Sequence, residues 1–476
     1  MKTYPLFLNG QWIVSENTIP VVDPARAETT AYISSVDRAT VARALRDASE
    51  AFGRWRSLTA TERAEYLNKI AAVLEERKQE IAETITRENG KPVAQSLGEV
   101  GMSVDHLRWF AGEARRAYGR LVPQQVNSKR NLVVKTPVGV VGAISPWNFP
   151  LVLALRKVAP ALAAGCTVVL KPSSRTPLCA VAFAQCAEEA GLPKGVFQLV
   201  VGPAQDVATE FIENPLCRKV TFTGSSQVGK HLISTAAQRV KPLSLELGGH
   251  APVLVFDDVD LDQAIEGTMI AKFRNMGQSC IAANRVYVQQ GIYDDFLERF
   301  TQRTKAMKVG PGTKPEVEIG PLIDQDAVDL ASRHVQDAVS KGARLLCGGG
   351  PVRDTMGYFF APSVLADVPH DAACMHEESF APVAPVCAFH SEQEGIAQAN
   401  ASDYGLSAYA FTRDVSRMFR LMETIEAGTI GINDGAPTTS QAPFGGVKQS
   451  GLGRELGMEG MDAFMDTKHV SLGGMH

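Results

Sequence analysis

Cys280 ends the segment Asn275-Met-Gly-Gln-Ser-Cys280, whose polar, glycine-containing approach leaves a sulfur accessible. The thiolate is the reacting form of cysteine, so nucleophilic work at this position calls for local donors or positive charge to lower the thiol's pKa. The bland alternative is a small buried hydrophobe, which is how the cysteines at 166, 179, 186, 217, 347, 374 and 387 read. Glu246 lies in Leu245-Glu246-Leu247-Gly248-Gly249, an acid at the end of an apolar strand. Its two following glycines would clear room for a base to reach a water or a thiol; otherwise it caps a sheet edge or pairs with a lysine. Asn148, in Pro146-Trp147-Asn148-Phe149-Pro150, reads as a helix N-cap, as a rigidly held oxyanion donor, or as both. Lys171 before Pro172 is either a surface lysine closing a strand or a group that reaches a ribose or phosphate.

Two nucleotide signatures are tested by the same residues. Gly224-Ser-Ser-Gln-Val-Gly229-Lys230 has the frame of a P-loop, but His231 follows where a magnesium-holding Ser or Thr is needed. A phosphate near that helix start is still favoured, because free N–H groups and the helix dipole attract anions. No G-x-G-x-x-G occurs, so a dinucleotide must bind by another route. None of the nine histidines belongs to an HExxH-type ligand set, and no metal is expected.

The elements that must position these groups follow from periodicity. The first third reads as mainly helical: Val41, Ala44, Leu45, Ala48, Ala51 and Phe52 share one face, and Thr59-Ala-Thr-Glu62 is a capping box. Tyr66, Ile70, Val73, Leu74, Ile81 and Ile85 continue the second helix's stripe to a stop at Gly90, and a third helix runs to about Tyr118. From 121 to 136 the pattern is extended and polar, an exposed ribbon suited to pairing between subunits. From Val138 short β-rich runs alternate with helical segments as far as Leu247, which predicts a parallel sheet with crossover helices. Trp147, Asn148, Lys171, Gly224, Ser225 and Glu246 all fall at the carboxyl ends of its strands, where such sheets bind ligands. A second α/β stretch starts near Pro252.

Composition limits the setting. The 476 residues allow two or three domains, and 48 basic against 52 acidic side chains give a net charge of -4, with no global field for nucleic acid or an anionic membrane. Eight scattered cysteines without a CxxC pair suggest a reducing, cytoplasmic location rather than a disulfide framework. The amino terminus lacks the run of a signal peptide, and the apolar stretch Pro137 to Leu155 is broken by Ser145, Pro146, Asn148 and Pro150, unlike a membrane span.

Pro-Trp-Asn-Phe-Pro, Lys-Pro-Ser, Phe-Thr-Gly-Ser, Leu-Glu-Leu-Gly-Gly and Gly-Gln-Ser-Cys occur in the order seen in aldehyde dehydrogenases. Glu377-Glu378-Ser379-Phe380-Ala381-Pro382-Val383 and Pro443-Phe444-Gly445-Gly446-Val447-Lys448-Gln449-Ser450-Gly451 complete a resemblance that spans essentially the whole chain. One position departs, with Ala381 where the family usually has glycine. The resemblance implies a Rossmann-like doubly wound NAD(P)-binding domain over 1–120 and 138–248. A catalytic α/β domain would cover 249–448, and oligomerisation segments 121–137 and 449–476 would support a homodimer or homotetramer. It implies Cys280 as nucleophile, Glu246 as general base and Asn148 as oxyanion donor beside the Cys280 backbone N–H. Lys171 and Ser225 would meet the adenosine ribose and pyrophosphate, and Glu378 and Phe380 the nicotinamide riboside. Trp147, Ser174, Gly224 and Leu247 complete the expected cofactor contacts.

Within the family the chain is most similar to the NAD(P)-dependent succinate-semialdehyde dehydrogenases. That subgroup clasps the substrate carboxylate at positions where this chain has Arg156 and Arg274, with a hydroxyl contact at Thr438. A guanidinium fork suits a carboxylate or sulfonate, so a short aldehyde with an anionic tail is expected. Succinate semialdehyde leads, ahead of 2-oxoglutarate semialdehyde, glutarate semialdehyde and sulfolactaldehyde. Ser174, where members restricted to NAD often carry glutamate, together with Arg175 should admit NADP as well as NAD. Ala282 replaces the redox-switch cysteine of some relatives, so no active-site disulfide is expected. The other classes weighed are a P-loop hydrolase, disfavoured by His231, and a catalytically silent relative, disfavoured by the intact Cys280, Glu246 and Asn148.

Overall fold

A computed structural model describes residues 1–474. Five β-rich runs after Val138 form the parallel centre of an eight-stranded sheet, in the order Leu243–Glu246, Cys217–Thr223, Val140–Ile144, Thr167–Lys171 and Phe197–Leu199. These strands are buried almost throughout, as a sheet covered by helices on both faces requires. A second, seven-stranded sheet is parallel except at one edge, where Arg344–Cys347 runs antiparallel to Ser363–Ala366. Each sheet carries its own hydrophobic core; the chain passes from the first to the second between Leu247 and Ala251, and Leu406, Phe444, Leu456, Met461 and Phe464 return to the first.

The first third contains more strand than its periodicity predicts. Leu6–Leu8 and Gln11–Ile13 form a hairpin on the edge of the first sheet, turning through Asn9 (φ 50°) and Gly10 (φ 72°). Asn-Gly supplies the two positive φ values that a type I′ turn requires. Three further strands, Lys2–Tyr4, Thr18–Asp23 and Glu28–Ser34, make a small separate sheet. The first helix, Arg38–Ser57, buries Trp55 where Phe52 was expected to face inward. The capping box forms as read, with Thr59 and Glu62 bonding reciprocally, but its helix ends at Glu76. Arg77 (φ -90°, ψ 12°) breaks the expected stripe and anchors to Glu80 and Gln185, and a separate helix, Lys78–Asn89, then stops at left-handed Gly90. A fourth helix, Val93–Ala114, completes this half.

The ribbon is a three-stranded antiparallel sheet of Arg120–Val122, Arg130–Pro137 and Met465–Leu472, with Leu121 exposed at its edge. The chain from 449 does not go directly to it. Gly451–Leu452 first pairs with Leu243–Glu246, and Leu456, Met461 and Phe464 pack in the first core. Of the segment 449–476 expected to serve assembly, Met465–Leu472 joins the ribbon, and residues 475 and 476 lie outside the described residues. No helix among the described residues is long and apolar enough to cross a membrane.

Candidate active site

Cys280 lies on the loop between helix Leu261–Phe273 and strand Ala283–Gln289. The approach is tightly turned, because Asn275 (φ 52°) and Met276 (φ 57°) both take left-handed conformations that only a fixed environment sustains. Asn275 is fully buried, and its Nδ2 donates to the carbonyls of Asn148 and Gln278, each at 2.9 Å. The Asn148 amide donates to the Gln278 carbonyl at 3.1 Å, which ties the Trp-Asn-Phe turn to the cysteine loop. One of the two Asn148 amide hydrogens is thereby engaged, leaving its second available.

Two cavities meet at Cys280. One, of about 580 Å³, is lined by Phe149, Arg156, Arg274, Thr438 and Phe444 among others. The other, of about 600 Å³, is lined by Trp147, Asn148, Gly224, Ser225, Leu247, Glu378 and Phe380, and it opens at the carboxyl ends of the parallel strands. The sulfur therefore stands between a tunnel and a cleft placed where open α/β sheets hold nucleotides. Lys171 and Ser174 are not in the cleft's lining. Lys171 is buried, with Nζ donating to the Pro172 carbonyl at 3.2 Å, and burial lowers its pKa to about 8. Ser174 is half-buried, and neighbouring Arg175 is engaged in an ion pair with Asp324 at 2.6 Å.

Burial dominates the ionisation of the site. The Cys280 thiol is pushed up to about 12 by burial, with the Glu378 and Glu246 carboxylates adding to the effect and Arg156 opposing it. One guanidinium does not outweigh desolvation and two acids. Glu246 is also held well above the usual carboxylate range, by burial and then by Glu455, against the pull of Lys157 and Arg156. Its Oε2 is buried with no hydrogen-bond partner among the described residues. Burial raises Glu378 to about 8, opposed by the Gly249 N–H that donates to it at 3.0 Å.

The room around Glu246 comes from a different glycine than expected. Gly445 (φ 156°) lies against its carboxylate, and a Cβ there would meet Oε1 at 2.8 Å. Gly249 is required instead by the cysteine loop, since a Cβ would stand 2.1 Å from the Cys280 carbonyl. The N-cap reading of Asn148 is corrected as well. Helix Val152–Ala164, which carries Arg156, has Leu151 at its cap, and Glu99 Oε1 accepts from the N–H groups of Leu151 and Val152.

Glu99 and its partner Lys91 escaped the sequence reading, and no local signal marks them. They form an ion pair of 2.6 Å in which neither side chain is exposed, and Lys91 Nζ also donates to the Asn148 carbonyl at 2.7 Å. Lys91→Met leaves Glu99 charged, buried and unpaired, so it should lower the free energy of unfolding by about 3–5 kcal/mol. A urea unfolding curve measures this, and an unchanged midpoint would contradict the pair's role. Phe149 and Phe444 were quoted only as motif letters, yet they form the tunnel's aromatic walls. The Arg274 guanidinium lies 5.3 Å from the Phe149 ring and that of Arg156 4.6 Å from the Phe444 ring. Thr438 Oγ1 is buried without a partner. All eight cysteines are free thiols, and no cluster of three potential metal ligands occurs among the described residues.

The chain is 45% identical over 471 residues to a glutarate-semialdehyde dehydrogenase of Pseudomonas aeruginosa, covering 98% of this chain and 97% of that one. It is 46% identical over 472 residues to a 3-sulfolactaldehyde dehydrogenase of Pseudomonas putida, with the same coverage of 98% and 97%. A succinate-semialdehyde dehydrogenase of Escherichia coli, named for NADP(+), is 45% identical over 468 residues and is likewise covered to 98% and 97%. A solved structure of an Escherichia coli NADP-dependent enzyme superposes with a TM-score of 0.97 at 44% identity, covering 99% of this chain and 98% of that one. With the aldehyde dehydrogenase family model matching residues 12–470, the chain belongs to the aldehyde dehydrogenase family.

Proposed function

We propose that this protein oxidises a short aldehyde with an anionic tail, succinate semialdehyde foremost, to the carboxylic acid with reduction of NAD or NADP. The observation that carries the proposal is a pair of guanidinium groups, buried Arg156 and half-buried Arg274, lining the tunnel that ends at Cys280. Neither is within 4.0 Å of a carboxylate among the described residues. Desolvated cations without a partner are costly, and an anionic substrate tail supplies the missing charge. Thr438 Oγ1, also unpartnered, offers a third contact.

At the other end of the tunnel, Cys280 is the nucleophile. Its proton leaves to Glu246, whose raised affinity for protons suits it as an acceptor. The sulfur adds to the aldehyde carbon, and the resulting thiohemiacetal oxyanion is met by the Asn148 amide and the Cys280 backbone N–H. A dinucleotide held in the adjoining cleft would supply the hydride acceptor, its nicotinamide. After that first proton has passed to solvent, Glu246 removes one from the water that attacks the Cys280 thioester, and returning it to the departing sulfur releases the acid and restores the thiol.

Trp147, Gly224, Ser225, Leu247, Glu378 and Phe380 line the cleft and are the residues that would hold the dinucleotide. Lys171 and Ser174 would reach its adenosine ribose from beside the cleft. Because Arg175 is tied to Asp324, the 2′-phosphate of NADP would rely on Lys171 and Ser174. On this reading residues 1–120 and 138–248 bind the cofactor, 249–448 carry the nucleophile, and the ribbon with Met465–Leu472 supports a homodimer or homotetramer. Glutarate semialdehyde, 2-oxoglutarate semialdehyde and sulfolactaldehyde share the anionic tail. Steady-state kinetics with carboxylate, sulfonate and neutral aldehydes, each with NAD and with NADP, test the proposal. Anionic aldehydes should exceed neutral ones of equal length in kcat/KM by about a hundredfold or more, and parity would refute the substrate class.

A further inference from the structure

Arg156 is gripped from behind by a chain of hydrogen bonds that the reaction itself does not use. Its Nε donates to His106 Nε2 at 3.5 Å, and His106 Nδ1 stands 2.7 Å from Ser440 Oγ. Ser440 Oγ in turn donates to Asp105 Oδ2. Asp105 and His106 lie on helix Val93–Ala114, while Ser440 lies two residues beyond Thr438 on the loop that closes the tunnel. His106 and Ser440 are almost fully buried, whereas Asp105 is exposed.

The direction of every bond in this chain is forced. Arginine only donates, and an ionised aspartate only accepts. Ser440 has one hydroxyl hydrogen, and giving it to Asp105 obliges its oxygen to accept from His106 Nδ1–H. The imidazole then carries its proton on Nδ1, leaving Nε2 bare to accept from Arg156. Burial and the charge of Arg156 both hold His106 well below its usual range, which fits a neutral ring.

We propose that His106, held by Ser440 and Asp105, is a positioning residue that aims the Arg156 guanidinium at the substrate's anionic tail without neutralising it. The proposal rests on the anionic-aldehyde reading above. A carboxylate in the place of His106 would pair with Arg156 and cancel the charge the tunnel offers. A neutral acceptor fixes the Nε edge and leaves the two terminal nitrogens and the full charge for the ligand. The one formal negative charge in the chain is Asp105, which sits at the surface, where solvent screens it from the tunnel. Phe444 lies against the guanidinium, so the plane of the cation is fixed at an edge and by a ring.

The test compares kcat/KM for succinate semialdehyde with that for butanal in the full-length enzyme. Variants are Arg156→Ala, His106→Leu, His106→Gln and Ser440→Ala. His106→Leu should reduce the ratio of the two by about tenfold or more, chiefly by raising KM for the anionic aldehyde. His106→Gln, whose amide can accept from Arg156 and donate to Ser440, should restore the ratio to within about threefold of the parent. Ser440→Ala should move the ratio in the same direction as His106→Leu by about threefold, and it decides the matter if the His106 variants do not fold. The inference is overturned if Arg156→Ala collapses the ratio while His106→Leu or, failing that, Ser440→Ala leaves it at the parental value. Equal loss on both aldehydes in His106→Leu also overturns it, because that marks a merely structural role. A parental ratio in Arg156→Ala rejects the anionic-aldehyde reading itself.

Discussion

Cys280→Ala should abolish aldehyde oxidation, lowering kcat by about 10⁴-fold or more, while leaving NAD(P)H binding within a few-fold of the parent. The size of the effect follows from covalent catalysis. Without the sulfur there is no thiohemiacetal, and orientation in the tunnel alone cannot turn the aldehyde into a hydride donor with a workable barrier. Retention of cofactor binding follows from position, because Cys280 touches the cleft only at its inner end. Fluorescence titration with NADPH and a coupled absorbance assay read the two halves separately. Turnover within about tenfold of the parent would sink the mechanism.

Arg156→Ala and Arg274→Ala carry the second large expectation. Each should reduce kcat/KM for succinate semialdehyde by about 10²–10³-fold and that for butanal by less than about tenfold. A carboxylate taken from water into this tunnel needs both charges, because the wall around them is aromatic and aliphatic: Phe149, Val152, Leu153, Ile270 and Phe444. Among the described residues the Arg274 side chain has only Met102 Sδ, at 3.6 Å, as a hydrogen-bond contact, so its removal strands no carboxylate there and should be tolerated by the fold. Equal losses on both aldehydes would place the arginines outside substrate recognition.

The parallel sheet was legible because its strands are continuous apolar runs separated by helical periods, a pattern carried by local residues such as Val140–Ile144 and Thr167–Lys171. The Asn9-Gly10 hairpin was missed, because its three-residue strands are too short for periodicity to announce and only the turn pair itself marks them. The break at Arg77 was missed as well, since what holds that residue is Gln185, 108 positions away. The same distance in sequence hid the site's supports. Glu99 caps the helix of Arg156 from 52 and 53 positions upstream, and the space at Glu246 is kept by Gly445 on the far side of the chain. Types of side chain predicted the chemistry of Cys280, Glu246 and Asn148. The ionisation of Cys280 depends on burial, which only packing determines and no local pattern announces.

The most direct test of the central claim is to trap the acyl group. Glu246→Gln removes the proposed base for hydrolysis as well as the acceptor of the Cys280 proton, so a prolonged incubation with succinate semialdehyde and NAD(P) at alkaline pH, which ionises part of the thiol without that base, followed by acid quench and peptide mass spectrometry should find a succinyl thioester on Cys280. A stoichiometric amount of reduced cofactor should accompany it. Continued turnover with Cys280 unmodified, or an acyl group on another cysteine, would contradict the account.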